Sequence, residues 1–168
     1  MSIRRIVILA TMITIVVTLE QLLSMLPNIQ LTIVLLMVFI SVLNFPESLI
    51  LVLVYTILDN VLGGFSIYFI PMLFAWSLFA IVVYFIRGKH RDLVIFSAIF
   101  PVIFSVALGV PAIIIQSMNP VGYFIADIPF TVIFIVNNII TVVWLYPVLQ
   151  KTLVKAIGRK YENLHQKR

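Results

Sequence analysis

The sequence predicts an all-α, polytopic membrane protein with six transmembrane helices and with its N- and C-termini in the cytoplasm. Hydrophobic residues occupy 63% of the 168 positions and charged residues only 10%, which lies well outside the averages for soluble domains. Several apolar runs approach or exceed the length that spans a bilayer. All 11 Lys and Arg residues fall in three places, at 4–5, 87–91 and 151–168. Six helices put these places on one side, which the positive-inside rule assigns to the cytoplasm.

The first apolar run, residues 6–19, contains no charge and predicts a retained helix rather than a removable signal peptide. Ala10, Thr14 and Thr18 recur every four residues along it, so these small side chains share one face. Small faces allow a neighbouring helix to approach closely in lipid. The stripe therefore predicts helix contact, and it leaves docking to a partner and packing within the chain both open.

Five further apolar runs follow, separated by polar turns, at 31–43, 48–58, 71–86, 93–115 and 123–149. Ser48 is expected to cap the third helix and Pro71 to lie in the first turn of the fourth. Thirteen helical residues reach only ~20 Å, against a hydrocarbon core of roughly 30 Å. The second and third helices are thus expected to extend through Asn28 and Asp59, to thin the bilayer, or to form a re-entrant pair. No repeat or linker interrupts the chain, so residues 1–168 are predicted to form one domain.

Several classes of function find no support in the residues. Cysteine is absent, which excludes disulfides, thiolate metal sites and cysteine nucleophiles. No phosphate-binding glycine loop is present, and His90 and His165 share no metal-ligand spacing. The basic residues flank apolar runs, as expected of a membrane protein and not of a nucleic-acid binder. We therefore expect no enzyme, no cofactor and no metal site.

Polar groups concentrate on the side that carries no Lys or Arg, and they predict a binding pocket that opens outward. Carboxylates near the membrane core are costly and usually face a cavity, a partner or water. Glu20, Gln21, Ser117 and Asn119 lie on this side, and Tyr55 and Tyr123 are candidate lining residues. The alternative is that the acids cap helix ends at the headgroups and the aromatic residues form an interfacial belt. The predicted substrate-binding residues are Asn28, Gln30, Asp59, Asn60, Tyr68, Trp76, Gln116, Asp127 and Asn137.

Taken together, three features resemble the substrate-binding S-components of energy-coupling factor (ECF) vitamin transporters. They are six short hydrophobic helices in fewer than 200 residues, the small stripe on the first helix, and the sequence Pro-Asn-Ile-Gln-Leu-Thr at 27–32. The family's first helix carries an alanine-x-x-x-alanine motif. Ala10 matches its first position, and Thr14 stands at the second.

The resemblance implies a subunit of a bacterial plasma membrane that binds a vitamin from outside, with residues 27–30 as a lid. It implies that Ala10, Thr14 and Thr18 face a transmembrane coupling subunit, and that two ATPase subunits hydrolyse ATP. Acids and amides without a base disfavour a strongly anionic ligand. We therefore expect cobalamin first, and pantothenate next if backbone N–H groups and amides hold its carboxylate. The rival hypothesis is a structural or assembly membrane protein, or an integral membrane enzyme, without a transported ligand.

Overall fold

The chain folds into six α-helices, and the computed structural model describes the backbone of residues 2–23 and 30–158 and the side chains of those residues up to 156. No strand occurs in these two ranges, so the all-α prediction is confirmed for them. Five of the helices are long and apolar enough to cross a bilayer, as in a multi-pass membrane protein. The helices are α1 (Ile3–Leu23), α2 (Thr32–Val42), α3 (Phe45–Gly63), α4 (Phe69–Ile86), α5 (His90–Ile114) and α6 (Pro120–Leu153), followed by a π-helical turn at Val154–Gly158.

The short helix α2 lies in the middle of the bundle. Every residue from Thr32 to Ile40 is buried, and the helix contacts α1, α3, α4 and α6. A helix that is apolar on all sides is expected to be buried on all sides. With 11 residues it is ~16 Å long. Its length does not have to match the bilayer because other helices, and not lipid, surround it.

Helix α3 begins earlier than the sequence analysis expected. Asn44 is its N-cap: the Asn44 side-chain oxygen accepts from the Glu47 N–H at 3.0 Å, and the Glu47 carboxylate accepts from the Asn44 N–H at 3.3 Å. This reciprocal capping box satisfies two N–H groups at once. The prediction of Ser48 as the cap is wrong, because its hydroxyl donates back to the Asn44 carbonyl within the first turn. Helix α3 then continues through Asp59, as one of the alternatives expected.

Alternate helix ends meet at one end of the bundle, here called the basic end. Arg5 of α1 pairs with Glu47 of α3 at 3.3 Å. Arg87, just after α4, donates to the Leu43 carbonyl at the end of α2. The ring of His90, the first residue of α5, lies 3.2 Å from a carbonyl of α6. The Lys and Arg residues of the described ranges are all near these contacts in the chain, so the opposite end of the bundle is free of them.

An aromatic core joins α4 to α5 and supports the polar end of the bundle. Trp76 of α4 contacts Phe79, Phe100 and Phe104, with ring centroids 5.2–5.7 Å apart. Aromatic pairs at such distances stabilise a core beyond their buried area. These contacts hold the indole of Trp76 in place, and its ring also contacts Tyr55 of α3.

Candidate functional site

Polar side chains form two clusters toward the end of the bundle that lacks basic residues. The first, called the Tyr55 cluster, comprises Glu20, Thr32, Tyr55, Asp59 and Trp76. The second, called the Asp127 cluster, is built by α4, α5 and α6 around Asp127. The sequence-predicted residues divide between these two clusters and a third set that bonds within the fold.

The Tyr55 cluster surrounds a side chain that is 1% exposed. The Tyr55 ring meets the Trp76 ring edge to face, with centroids 5.3 Å apart and an interplanar angle of 89°. The Glu20 carboxylate lies beside the hydroxyls of Tyr55 and Thr32. Asp59, one helical turn beyond Tyr55, adds a second negative charge to the surroundings of Glu20. Four helices thus contribute to one polar cluster inside an otherwise apolar bundle.

Helix lengths explain why these residues meet. Tyr55 is ten residues beyond the start of α3, which places it ~15 Å along that helix. Thr32 is the first residue of α2 and lies ~16 Å from the end of α2 that Arg87 holds beside the start of α3. Both therefore reach the same level. Glu20 joins them because it continues the buried face of α1 formed by Leu9, Met12, Ile13 and Val16.

Three polar atoms in this cluster are buried and have no hydrogen-bond partner among the residues that the structure describes: Glu20 Oε2, Thr32 Oγ1 and Trp76 Nε1. Folded proteins pair nearly all of their buried polar groups. Each unpaired group costs about 1–3 kcal/mol. A bound ligand that forms hydrogen bonds with these atoms would remove this cost. The cluster is therefore a candidate ligand site.

The charged neighbours of Glu20, which is partly buried, differ from those of Glu47, which is fully buried. Glu47, 2% exposed, has Arg5 and the capping box of α3 as partners. Glu20 has two hydroxyls and a second acid, and the described Lys and Arg residues lie at the basic end. The nearby N-terminus of α2 stabilises an anion by about 0.3–1 kcal/mol, and by ~2 kcal/mol at most. Burying an ion costs several kcal/mol, so the helix dipole does not offset the charge of Glu20.

The Asp127 cluster holds a carboxylate by hydroxyl donors. Asp127 accepts from Ser105 Oγ on α5 and, at 2.6 Å, from Thr131 Oγ1 one turn further along α6. The Tyr123 hydroxyl lies 3.5 Å from the Ser105 carbonyl, and Tyr68 donates to Gln116 at 3.4 Å. A cavity of about 360 Å³ lies beside this carboxylate; its lining residues are Met118, Asn119, Gly122, Tyr123, Ala126, Asp127 and Phe130.

No protein-family model, curated protein or solved structure matches this chain. Its function is therefore argued from the two clusters, since function lies in sites and not in folds.

Asn60, Asn137 and the backbone of Gln30, which were also predicted to bind substrate, already bond within the fold. Asn60, 5% exposed, donates to the Thr56 carbonyl at 2.9 Å and lies 3.7 Å from the sulfur of Met72. Asn137 donates to the Gln30 carbonyl at 2.7 Å and so ties α6 to the residues that precede α2. Asn28 lies outside the described residues, as does most of the predicted lid at 27–30.

The small stripe on α1 is exposed along its whole length. Ala10, Thr14 and Thr18 all face outward, and the Thr14 hydroxyl donates to the Ala10 carbonyl at 2.9 Å. Helix α1 packs onto the bundle through a different face, that of Leu9, Met12, Ile13 and Val16. The helices of the described ranges therefore leave this stripe uncovered.

The sequence placed Glu20 on the polar side of the predicted pocket and Tyr55 among its candidate lining residues, whereas Thr32 appeared only in the 27–32 turn; none of the three was among the predicted substrate-binding residues. A signal for Glu20 existed, since a carboxylate follows four apolar residues at helical spacing on one face. The proximity of Thr32 to Tyr55 carried no such signal, because it depends on where α2 begins. Within the described ranges no group of three or more His, Cys, Asp or Glu residues could hold a metal ion.

Proposed function

We propose that this protein is the membrane-embedded substrate-binding subunit of an uptake system for a vitamin or related micronutrient, an S-component of an ECF transporter. The observation that carries the proposal is the set of three buried, unpartnered polar atoms around Tyr55. An apolar bundle that only needed to be stable would pack better with apolar side chains there. Binding of a polar ligand gives these atoms partners.

We propose the plasma membrane of a bacterium as the location, with six crossings and both termini in the cytoplasm. The contacts of Arg5, Arg87 and His90 support this orientation, because they gather alternate helix ends at the basic end. The positive-inside rule assigns that end to the cytoplasm. The Tyr55 and Asp127 clusters then lie toward the outside, where a nutrient arrives.

The proposed partners are a transmembrane coupling subunit, docked on Ala10, Thr14 and Thr18, and two ATPase subunits. Exposure of the stripe supports this docking face. The Thr14 hydroxyl bonds its own helix and leaves a methyl group on the surface, so the face stays small and apolar. Close approach of helix backbones in lipid requires such a face. The partners supply ATP hydrolysis, since the sequence carries no phosphate-binding loop.

The proposed ligand is neutral or cationic, with cobalamin as the first candidate and pantothenate as the second. Glu20, Asp59 and Asp127 give the polar end of the bundle a negative character without a neighbouring Lys or Arg. A ligand carboxylate would meet repulsion there unless backbone N–H groups and amides held it. This charge distribution ranks the uncharged candidate above the anionic one.

Native mass spectrometry of the protein purified from its own membranes tests the proposal, followed by titration with cobalamin and with pantothenate. We expect a small molecule to co-purify, and one-to-one binding that persists in Asp92→Asn, a control at the opposite, basic end. A protein that carries no small molecule and binds neither vitamin would favour the rival hypothesis of a structural or assembly protein, or of an integral enzyme.

A further inference from the structure

We infer that the Tyr55 cluster binds a positively charged nitrogen of the ligand, an ammonium group or a charged ring nitrogen, against Glu20 and Asp59. The inference rests on the proposed function of micronutrient binding and selects the cationic class of ligand within it, in place of the uncharged and anionic candidates named above. It concerns the part of the ligand that enters the bundle deepest, beside the first residue of α2.

Two glutamates carry the first step: Glu47 is buried, and Glu20 is partly buried with one enclosed carboxylate oxygen. Both lie inside the bundle, but Glu47 has an arginine 3.3 Å away. Glu20 has a hydroxyl on either side, the negative charge of Asp59 near it, and one fully buried oxygen without a partner. A buried carboxylate is stable when a cation pairs with it. The chain provides that cation for Glu47 and leaves the equivalent position at Glu20 open to a ligand.

The unpartnered neighbours carry the second step, independently of charge. Trp76 is 3% exposed and Thr32 is 1% exposed, and within the described part of the chain neither the indole N–H nor the Thr32 hydroxyl makes a hydrogen bond. The Trp76 N–H can only donate, so the ligand must present an acceptor as well as a positive nitrogen. The Trp76 N–H and the Glu20 carboxylate together would recognise such a ligand, the first by donating to its acceptor and the second by pairing with its positive nitrogen.

The aromatic residues carry the third step. Tyr55 and Trp76 are packed edge to face, and the indole also contacts the rings of Phe79, Phe100 and Phe104. Aromatic rings attract organic cations, tryptophan most strongly, and the attraction grows when water is excluded. An inorganic metal ion fits less well, because the described residues assemble no group of three metal-ligating side chains.

The test combines the co-purifying ligand with one matched pair of probes. Native mass spectrometry identifies the ligand, and calorimetry compares choline with dimethylbutanol, its uncharged carbon isostere, on the full chain in detergent. We expect a ligand with a positive nitrogen, and choline to bind at least tenfold more tightly than dimethylbutanol. Glu20→Gln should weaken the ligand by roughly 10- to 150-fold, the range of a charge-assisted hydrogen bond, and should abolish the preference for choline.

Two further variants and a control keep the test decisive. Trp76→Phe removes the N–H and leaves an aromatic ring that attracts cations less strongly, so it should weaken the ligand and reduce, but not abolish, the preference for choline. Asp59→Asn should reduce that preference, which covers the case in which Glu20→Gln does not fold, and Asp92→Asn should change neither quantity. A co-purified ligand without a positive nitrogen, bound equally by wild type and Glu20→Gln, overturns the inference while the proposed function stands. Absence of any bound ligand or probe overturns both.

Discussion

The same substitution at Glu20 and at Glu47 should change stability in opposite directions. Glu47→Leu removes the ion pair with Arg5 and half of the α3 capping box. Breaking a buried pair costs 3–5 kcal/mol, roughly, when the remaining charge is fully enclosed. The Arg5 side chain is 21% exposed, so water stabilises it in part. We therefore expect a loss of about 2–4 kcal/mol.

Glu20→Leu should instead stabilise the ligand-free protein. It removes one buried oxygen that has no partner and the repulsion from Asp59. An unpaired buried group costs about 1–3 kcal/mol, and the hydroxyl of Tyr55 loses a neighbour worth ~1 kcal/mol. The expected net gain is about 1–2 kcal/mol. The same substitution should abolish ligand binding, because functional sites commonly retain polar groups that lower stability.

Thermal unfolding in detergent, followed by size-exclusion chromatography, measures both effects. For a chain of this size 1 kcal/mol corresponds to roughly 2–4 °C in Tm. Glu47→Leu should lower Tm by about 4–16 °C, and Glu20→Leu should raise it by about 2–8 °C. Equal losses in the two variants would refute the reasoning, because Glu20 would then be as structural as Glu47 and the Tyr55 cluster would not be a ligand site.

Three further predictions address the docking face, the orientation and the second cluster. Ala10→Trp or Thr14→Trp should abolish uptake by cells and co-purification of partner subunits while the affinity of the lone chain for its ligand stays unchanged; loss of affinity together with uptake would show that the stripe packs within the chain. A cysteine that replaces Lys89 should react with membrane-impermeant reagents only from the cytoplasm, and labelling from outside intact cells would reverse the orientation. Asp127→Ala should weaken ligand affinity by roughly five- to 150-fold, and an unchanged affinity measured by calorimetry would exclude this cluster from the site.

Helix order and approximate bounds could be predicted because hydrophobicity and polar turns act locally. The error at the start of α3 has a local cause too. Asn44 and Glu47 have the spacing of a capping box, which satisfies two N–H groups where Ser48 would satisfy one. The burial of α2 was not predicted, although residues 31–43 carry a signal for it in being apolar on nearly all sides.

The candidate site was predictable only in part, because sequence gives depth along a helix and not the neighbours across helices. Asn137 and Asn60 are polar and were predicted on the side of the bundle that lacks basic residues, yet they bond to the Gln30 and Thr56 carbonyls. Trp76 was predicted in the pocket and does lie in the Tyr55 cluster. What distinguishes these residues is whether their polar atoms find a partner, and that depends on packing.

The shortness of α2 accounts for the position of the Tyr55 cluster. Helix α3 has 19 residues and α2 has 11, and both have one end at the basic end of the bundle. Helix α3 therefore continues ~12 Å beyond the first residue of α2. A central helix of full length would cover Tyr55 and Trp76 with apolar side chains. Because α2 begins only at Thr32, the surrounding helices enclose polar groups at the level of this residue. The short central helix α2, which contacts four of the other described helices, thus determines the level at which the candidate site lies.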